Sequence, residues 1–140
     1  MLNTYNTLET VINEVRSSRL GVYDANDKVR ASGEHFSVYS PQGDRVTLDG
    51  QIYVGAEVLE FDILSDGNVD YDTLPSAIKG TGWTLLYSGE IIESVLASLR
   101  YQLPEFDNNL VLKAIDYYCE YDCFYDFKDS GLNAGKLGDR

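Results

Sequence analysis

The side chains with the clearest chemical potential are the oxygen donors of residues 66–72. They stand at alternate positions, as in a calcium-binding loop: Asp66, Asn68, Asp70 and Asp72. An EF-hand loop also needs glycine at its sixth position and glutamate at its twelfth, but those positions are Tyr71 and Ala77. The segment is therefore interpreted as a solvated acidic turn, and no metal or other cofactor is predicted.

Two cysteines and one histidine offer a second set of metal ligands. Cys119 and Cys123 lie four residues apart in a predicted helix end, and His35 is distant in sequence. Zinc sites generally use paired ligand clusters, and an i,i+4 pair on a helix seldom meets disulfide geometry. The cysteines are interpreted as small apolar fillers in a reduced, cytoplasmic protein.

Enzymatic chemistry finds little support. A catalytic triad would have to use His35, which stands on a predicted strand beside Phe36. The glycines of residues 80–82 lack the lysine and the strand-before-helix context of a phosphate loop. The sequence therefore favours a protein that is not an enzyme, although a small metal-dependent enzyme using residues 66–72 or His35 is an alternative.

Apolar spacing predicts three helices. Leu8, Val11, Ile12 and Val15 form one stripe in a helix over Thr7–Ser18. A second helix is predicted over Gly89–Tyr101, capped by Ser88 and ended by Pro104. A third is predicted to begin at a cap formed by Asp107, Asn108 or Asn109.

The middle of the chain has the alternation of β-strands. They are predicted at Gly21–Tyr23, His35–Tyr39, Arg45–Leu48, Ile52–Val54, Val58–Leu64 and Trp83–Tyr87. Asp49-Gly50 predicts a two-residue hairpin, and in Val58–Leu64 the buried parity is predicted to be Leu59, Phe61 and Ile63. A helical turn is predicted near Ala77-Ile78. The predicted fold is α+β: an antiparallel sheet of four to six strands with three helices, one N-terminal and two C-terminal, packed on one face.

Length and composition indicate one globular domain over residues 1–127 and a flexible C-terminal tail over residues 128–140. The chain has 140 residues, of which 44% are hydrophobic, and this composition is typical of a folded protein. It begins with no signal peptide pattern and contains no apolar run long enough to span a membrane. The protein is predicted to be cytoplasmic, in its own cell or in a host cell.

Negative charge is the strongest feature of the composition. The net charge is -12, beyond the magnitude of roughly 2–8 that serves solubility in a small domain. Residues 46–78 contain seven acids and no lysine or arginine, and residues 101–127 contain six acids against Lys113 alone. Such a chain repels nucleic acid and acidic membranes and attracts basic proteins.

Two acidic and aromatic patches are predicted to bind the partner. The first comprises Glu57, Glu60, Asp62, Asp66, Asp70, Tyr71 and Asp72, and the second comprises Glu120, Tyr121, Asp122 and Tyr125. Carboxylates would pair with lysine or arginine of the partner, and the tyrosines would pack at the centre of the contact.

In size, acidity, α+β layout and lack of catalytic residues, the chain resembles two classes of protein. One is the phage-encoded inhibitors of host defence, the anti-CRISPR and anti-restriction proteins, and the other is the immunity proteins that neutralise nuclease toxins. Residues 110–124 are also similar to the C-terminal helix of small uncharacterised proteins from bacteria and their phages. The first resemblance implies a stoichiometric anti-defence inhibitor that occupies a basic nucleic-acid-binding complex or nuclease, as a DNA mimic or as a plug. An immunity protein and a phage assembly subunit are the alternatives.

Overall fold

Four strands and three α-helices make up the structure, a computed structural model that describes residues 2–17, 36–41, 46–58 and 62–127. In chain order they are β1 (Thr4–Thr7), α1 (Leu8–Ser17), β2 (Phe36–Pro41), β3 (Gln51–Ala56), β4 (Trp83–Ser88), α2 (Gly89–Gln102) and α3 (Asn108–Tyr121). Short 3-10 helices occupy Tyr71–Thr73 and Ser76–Ile78. The predicted α+β fold with an antiparallel sheet and three helices is confirmed.

The sheet has the strand order β1-β3-β2-β4, and every neighbouring pair is antiparallel. In the register Thr4 lies opposite Val54, and Val38 lies opposite both Val54 and Tyr87. A register shift between Val38 and Tyr39 interrupts the pairing of β2 with β4. Because β2 and β3 are the inner strands, successive residues in each are buried, whereas Thr4 and Tyr5 on the edge strand β1 are exposed.

The described residues fall into two compact units. The first comprises residues 2–11 and 36–90, and the second comprises residues 12–17 and 91–127. The first unit holds the whole sheet. The prediction of one domain over residues 1–127 stays a prediction, as does the placing of all helices on one face of the sheet. The predicted tail, residues 128–140, lies outside the described residues.

Aromatic packing organises one side of the first unit. Tyr39, Tyr53 and Ile78 are buried together, and Trp83 is among the partly buried residues against them. Tyr5 lies edge-on to Tyr53, with ring centroids 4.9 Å apart, and edge-on to Trp83 at 5.6 Å. The Tyr5 hydroxyl donates to the carbonyl of Ala77 at 3.2 Å. The sheet and the 3-10 segment around Ile78 are thus held together by rings and one long-range hydrogen bond.

The ends of α3 in the second unit are capped by two aspartates. At its start the Asp107 carboxylate accepts from the backbone N–H of Leu110 at 2.9 Å, so Asp107 is the cap among the three candidates. At its end Asp122 adopts the left-handed conformation, with φ of 55°, and its N–H donates to the Tyr118 carbonyl at 2.8 Å. Asp122 therefore has a structural role in ending the helix.

Two strand predictions are wrong for the residues that the structure describes. Residues 46–49 form no strand: Gly50 N–H closes a turn on the Thr47 carbonyl at 2.9 Å, and the carbonyls of Leu48 and Gly50 accept from Glu9 and Leu8 at the start of α1. The predicted Asp49-Gly50 hairpin is therefore replaced by a turn that caps a helix. The described part of Val58–Leu64 makes only an isolated bridge between Ile63 and Val69, and Ile63 is exposed rather than buried. Leu59 and Phe61 of the predicted buried parity lie outside the described residues.

Other predictions have mixed outcomes. β1 was not predicted, because Thr4–Thr7 is polar and belongs to an edge. The predicted strands at the first half of β2, at β3 and at β4 are confirmed, as is the helical turn near Ile78. The predicted strand Gly21–Tyr23 and the side chain of His35 lie outside the described residues.

Candidate functional site

Residues 62–72 of the first unit form a compact acidic loop. The N–H of Asp70 donates to the Asp62 carbonyl at 2.7 Å, and the N–H of Leu64 donates to the Asn68 carbonyl at 2.8 Å. Gly67 takes a positive φ of 87° at the tip, where its N–H donates to the Leu64 carbonyl at 2.9 Å. The loop is therefore ordered by its own backbone hydrogen bonds, which reduces the entropy lost when a partner binds it.

Two of the predicted binding carboxylates also build this loop. Asp66 accepts from the backbone N–H of Asn68 at 3.0 Å and from its side-chain amide at 3.1 Å. The backbone hydrogen bond is the larger cause and the amide the smaller cause that lower the pKa of Asp66 below its usual value. Asp70 caps the following 3-10 helix by accepting from the N–H of Asp72 at 3.1 Å. Both residues present negative charge and also fix the turn that carries it.

The acidic loop also exposes apolar surface. Ile63 is 42% exposed, Leu64 47% and Tyr71 57%. The Nζ atom of Lys79 lies 5.6 Å from the Tyr71 ring centroid and donates to the carbonyl of Asp72 at 3.3 Å. Tyr71 thus contacts a lysine and stands among carboxylates. An exposed aromatic ring with charged residues around it has the composition of an interface anchor.

The remaining members of the first predicted patch differ in exposure. Glu57 and Asp72 are exposed, Asp62 is partly buried, and Glu60 lies outside the described residues. The structure thus brings Asp62, Asp66, Asp70, Tyr71 and Asp72 into one loop. Glu57 precedes the loop, directly after β3.

The second predicted patch lies at the end of α3. Glu120, Tyr121 and Asp122 are exposed, and Tyr121 is 57% exposed. Tyr125 is only 8% exposed, which corrects its prediction as a surface anchor: its ring packs edge-on against Tyr117, with centroids 5.0 Å apart, and against Phe127 at 4.7 Å. Tyr125 therefore contributes ring packing to this segment and is not an exposed anchor.

Stacked rings continue around this helix end. Tyr117 and Tyr121 have centroids 4.5 Å apart, and Tyr118 stacks on Phe124 at 4.9 Å with an interplanar angle of 28°. Aromatic pairs of this kind stabilise beyond their buried area. The segment that follows α3 is therefore fixed by ring packing, although it contains no regular secondary structure.

Sequence reasoning missed a cavity beside this segment. Its lining residues are Tyr101, Gln102, Phe124, Tyr125, Asp126 and Phe127. Tyr101 stands in the last turn of α2 and is 83% exposed. The sequence signal that could have located the cavity is the high aromatic content of residues 117–127. The sequence pattern did not decide whether this stretch is a helix end or a strand.

The cysteines are exposed rather than buried fillers. Cys119 and Cys123 are both free thiols at the surface, which corrects that interpretation. Desolvation still raises the pKa of the Cys119 thiol above its usual value, so it is protonated at neutral pH. Within residues 2–17, 36–41, 46–58 and 62–127, no group of three or more histidine, cysteine or acidic side chains is placed to hold a metal ion.

The fold and these surfaces define a small, strongly acidic α+β protein with an ordered acidic loop and an acidic aromatic helix end. Residues 25–127 match the family described as Domain of unknown function (DUF7716), and the chain belongs to that family. No curated protein and no solved structure matches the chain. None of the helices described has the length and apolar character needed to cross a membrane.

Proposed function

We propose that this protein is not an enzyme and that it inhibits a nucleic-acid-handling protein by binding to a basic surface of that protein. The observation that carries the proposal is the acidic loop of residues 62–72, where exposed Ile63, Leu64 and Tyr71 stand among carboxylates. Apolar side chains supply the desolvated part of a contact and the surrounding charges supply orientation and fast encounter.

Charge supports this class of partner. The chain carries -12 overall, and residues 46–78 contain no lysine or arginine. A surface that binds DNA or RNA carries clustered lysine and arginine, so it is complementary to the acidic loop. In a phage or bacterial setting the partner would be a defence effector, such as a CRISPR or restriction complex, occupied by the acidic protein in place of nucleic acid.

The first experiment identifies the partner and measures its inhibition. The full chain is immobilised, a bacterial lysate is passed over it, and proteins released by salt are identified by mass spectrometry. The expected result is one basic nucleic-acid-binding protein, retained near stoichiometrically and displaced by competing DNA or RNA. The purified partner should then lose nucleic-acid binding when the acidic protein is added.

Matched variants test the first predicted patch, at Asp72 in the acidic loop and at Glu57 before it. Glu57→Gln with Asp72→Asn removes two exposed carboxylates from the predicted patch, while Glu9→Gln with Glu90→Gln removes two exposed carboxylates elsewhere in the first unit. Both pairs change the net charge equally. We expect the first pair to slow association several-fold more than the second at low salt.

Equal effects of the two pairs would show that only net charge matters and would contradict the role of the first patch. Retention of a toxin rather than a defence complex would assign the protein to the immunity class. If the lysate yields no basic nucleic-acid-binding protein, or if the partner keeps its nucleic-acid binding, the proposed function is wrong.

A further inference from the structure

Lys79 is the only lysine or arginine in residues 46–99, a stretch that contains nine acids. Its Nζ atom lies 5.6 Å from the centroid of the Tyr71 ring and donates to the Asp72 carbonyl at 3.3 Å. In the described part of the chain these are the contacts of its ammonium, and it pairs with no carboxylate. One face of an exposed ring and one carbonyl oxygen therefore already hold a primary ammonium at the end of the acidic loop.

The backbone fixes both sides of this contact. Asp70 caps the 3-10 helix that begins at Tyr71 by accepting from the N–H of Asp72 at 3.1 Å. Lys79 directly follows Ile78, which is 1% exposed and belongs to the core of the first unit. The ring and the carbonyl thus form a preformed site for a cation, so binding a ligand there requires little further ordering of the chain.

The hold on Lys79 is weak enough for another side chain to displace it. Its hydrogen bond of 3.3 Å exceeds the usual upper limit of about 3.2 Å, and its distance to the ring is close to the limit of about 6 Å for a cation–π contact. The Tyr71 ring remains 57% exposed, so a side chain from another molecule can reach it. The acidic loop carries four carboxylates and no basic residue, so its field attracts cations toward this ring.

We infer that the Tyr71 ring and the Asp72 carbonyl form the site for a lysine side chain of the basic partner, and that Lys79 occupies this site as an internal competitor in the free protein. The inference rests on the proposed function, because it names the group that the partner contributes at the acidic loop. Lysine fits this geometry because a compact ammonium needs a single acceptor beside the ring, whereas arginine is favoured where a carboxylate accepts two parallel hydrogen bonds.

Competition by Lys79 predicts the size of the effect. An exposed cation–π contact favours the bound arrangement about two- to fivefold, so the ring face is open in about one sixth to one third of the molecules. The apparent affinity for an external ligand is reduced by this open fraction. Removing the Lys79 ammonium should therefore raise the affinity of the site for an external lysine about three- to sixfold.

The experiment titrates the full chain with a tetralysine peptide, acetylated and amidated at its ends, and follows the NMR signals of the Tyr71 ring and of the backbone amides of residues 70–73. The control peptide consists of ε-acetyl-lysines, which keep the side-chain stems and carry no charge. We expect saturable shifts with tetralysine, a higher affinity in Lys79→Ala than in the unchanged chain, and much smaller shifts with the control peptide. No saturable shift at these residues in Lys79→Ala, or equal shifts with both peptides, would overturn the inference.

Further variants separate the ring from the net charge. Lys113→Ala removes a cation of the second unit and changes the net charge as Lys79→Ala does, so it should lack the three- to sixfold gain expected above for about one cation–π contact. Lys79→Arg keeps a cation at the ring and should leave the affinity near that of the unchanged chain. Tyr71→Leu added to Lys79→Ala should abolish the gain, and the exposure of Tyr71 leaves the core intact. An equal gain in Lys113→Ala, or a gain that survives loss of the ring, would contradict the assigned site.

Failure of this inference and failure of the proposed function give different results. If the lysate yields a basic partner, and Lys79→Ala binds it no more tightly than Lys113→Ala does, the site assignment is wrong and the proposed function stands. If tetralysine binds at Tyr71 with the expected gain in Lys79→Ala and the lysate yields no basic partner, the lysine site stands and the proposed function is wrong.

Discussion

The guanidinium carbon of Arg16 lies 4.6 Å from the centroid of the Phe106 ring. The same guanidinium donates to the Asn108 side-chain oxygen at 2.7 Å and to the Phe106 carbonyl at 3.1 Å. The Asn108 amide in turn donates to Asn13 at 2.7 Å. A residue near the end of α1 thus fixes the connection between α2 and α3 within the second unit.

Replacing Arg16 by lysine should destabilise the protein although the charge is kept. Lysine cannot donate in two directions from one plane or stack flat on Phe106. We expect a loss of about 1–3 kcal/mol in the free energy of unfolding, measured by urea denaturation. Lys113→Ala, at a cation with no hydrogen bond among the described residues, is the control. A loss below that of the control would show that the Arg16 contacts contribute nothing.

Gly89→Ala should be destabilising despite its position in a helix. Gly89 is the first residue of α2, where alanine is a better helix former than glycine, with a gain of up to about 0.5–1 kcal/mol at interior positions. A Cβ atom at Gly89 would lie 2.5 Å from ring carbons of Phe36, which is only 3% exposed and cannot move aside. We expect a net loss of about 1–3 kcal/mol by thermal or urea unfolding.

The double variant Gly89→Ala with Phe36→Leu isolates this contact. If the ring is the obstacle, the double variant should lose less stability than the sum of the two single variants. Additive losses would point to a cause other than the Phe36 ring.

Stability should fall in alkaline solution in a way that depends on Tyr39. Burial, then the charge of Asp62 and the proximity of Tyr53, raise the pKa of Tyr39 above its ordinary value of 10.0. Above that pH the unfolded chain releases a proton that the folded chain retains, so unfolding becomes more favourable as pH rises. The difference in stability between Tyr39→Phe and the unchanged protein should therefore shift in favour of Tyr39→Phe above pH 10, by urea unfolding. A constant difference across this range would refute the assignment.

Asp66 should titrate below the usual aspartate range, as followed by the NMR signal of its carboxyl carbon. The stabilisation that its carboxylate gives is present at neutral pH and is lost as pH falls through this lowered pKa. Asn68→Ala should raise the pKa only in part, because the backbone N–H of residue 68 is the larger cause and remains. Asn109→Ala, an exposed amide elsewhere, should change nothing. Complete return to an ordinary pKa in Asn68→Ala would show that the side-chain amide dominates.

The helices could be predicted because their periodicity is local. Leu8, Val11, Ile12 and Val15 are all buried, as their spacing predicted. The Asp49-Gly50 hairpin failed because the turn closes one residue earlier, from the Gly50 N–H to the Thr47 carbonyl, and because its carbonyls bond to α1 and not to a strand. The carbonyls next to that turn accept from the first N–H groups of α1, about 40 positions away in the sequence, and a local pattern carries no information about such a partner.

Of the candidate site, only the negative charge could be predicted from the sequence. The exposed acids of the first patch were found from composition, but the roles of Asp66 and Asp70 in building the loop depend on backbone geometry. For Tyr125 the prediction of an exposed position was wrong. Its polar tip suggested a surface position, and ring packing by Tyr117 and Phe127 buried it. The role of Tyr101 and Gln102 in lining the cavity was missed because the segment that they face, after α3, has no regular secondary structure. The position of that segment depends on contacts that leave no periodic pattern in the sequence.

The pairing of β1 with β3 has a practical consequence for work with shortened chains. The family match begins at residue 25, whereas β3 uses Thr4–Thr7 as its outer neighbour. A fragment cut to residues 25–127 would leave the backbone groups of Gln51–Val54 as an open sheet edge that carries Ile52 and Val54. Such an edge templates pairing with other chains. We expect this fragment to aggregate in size-exclusion chromatography, where the full chain elutes as a discrete species.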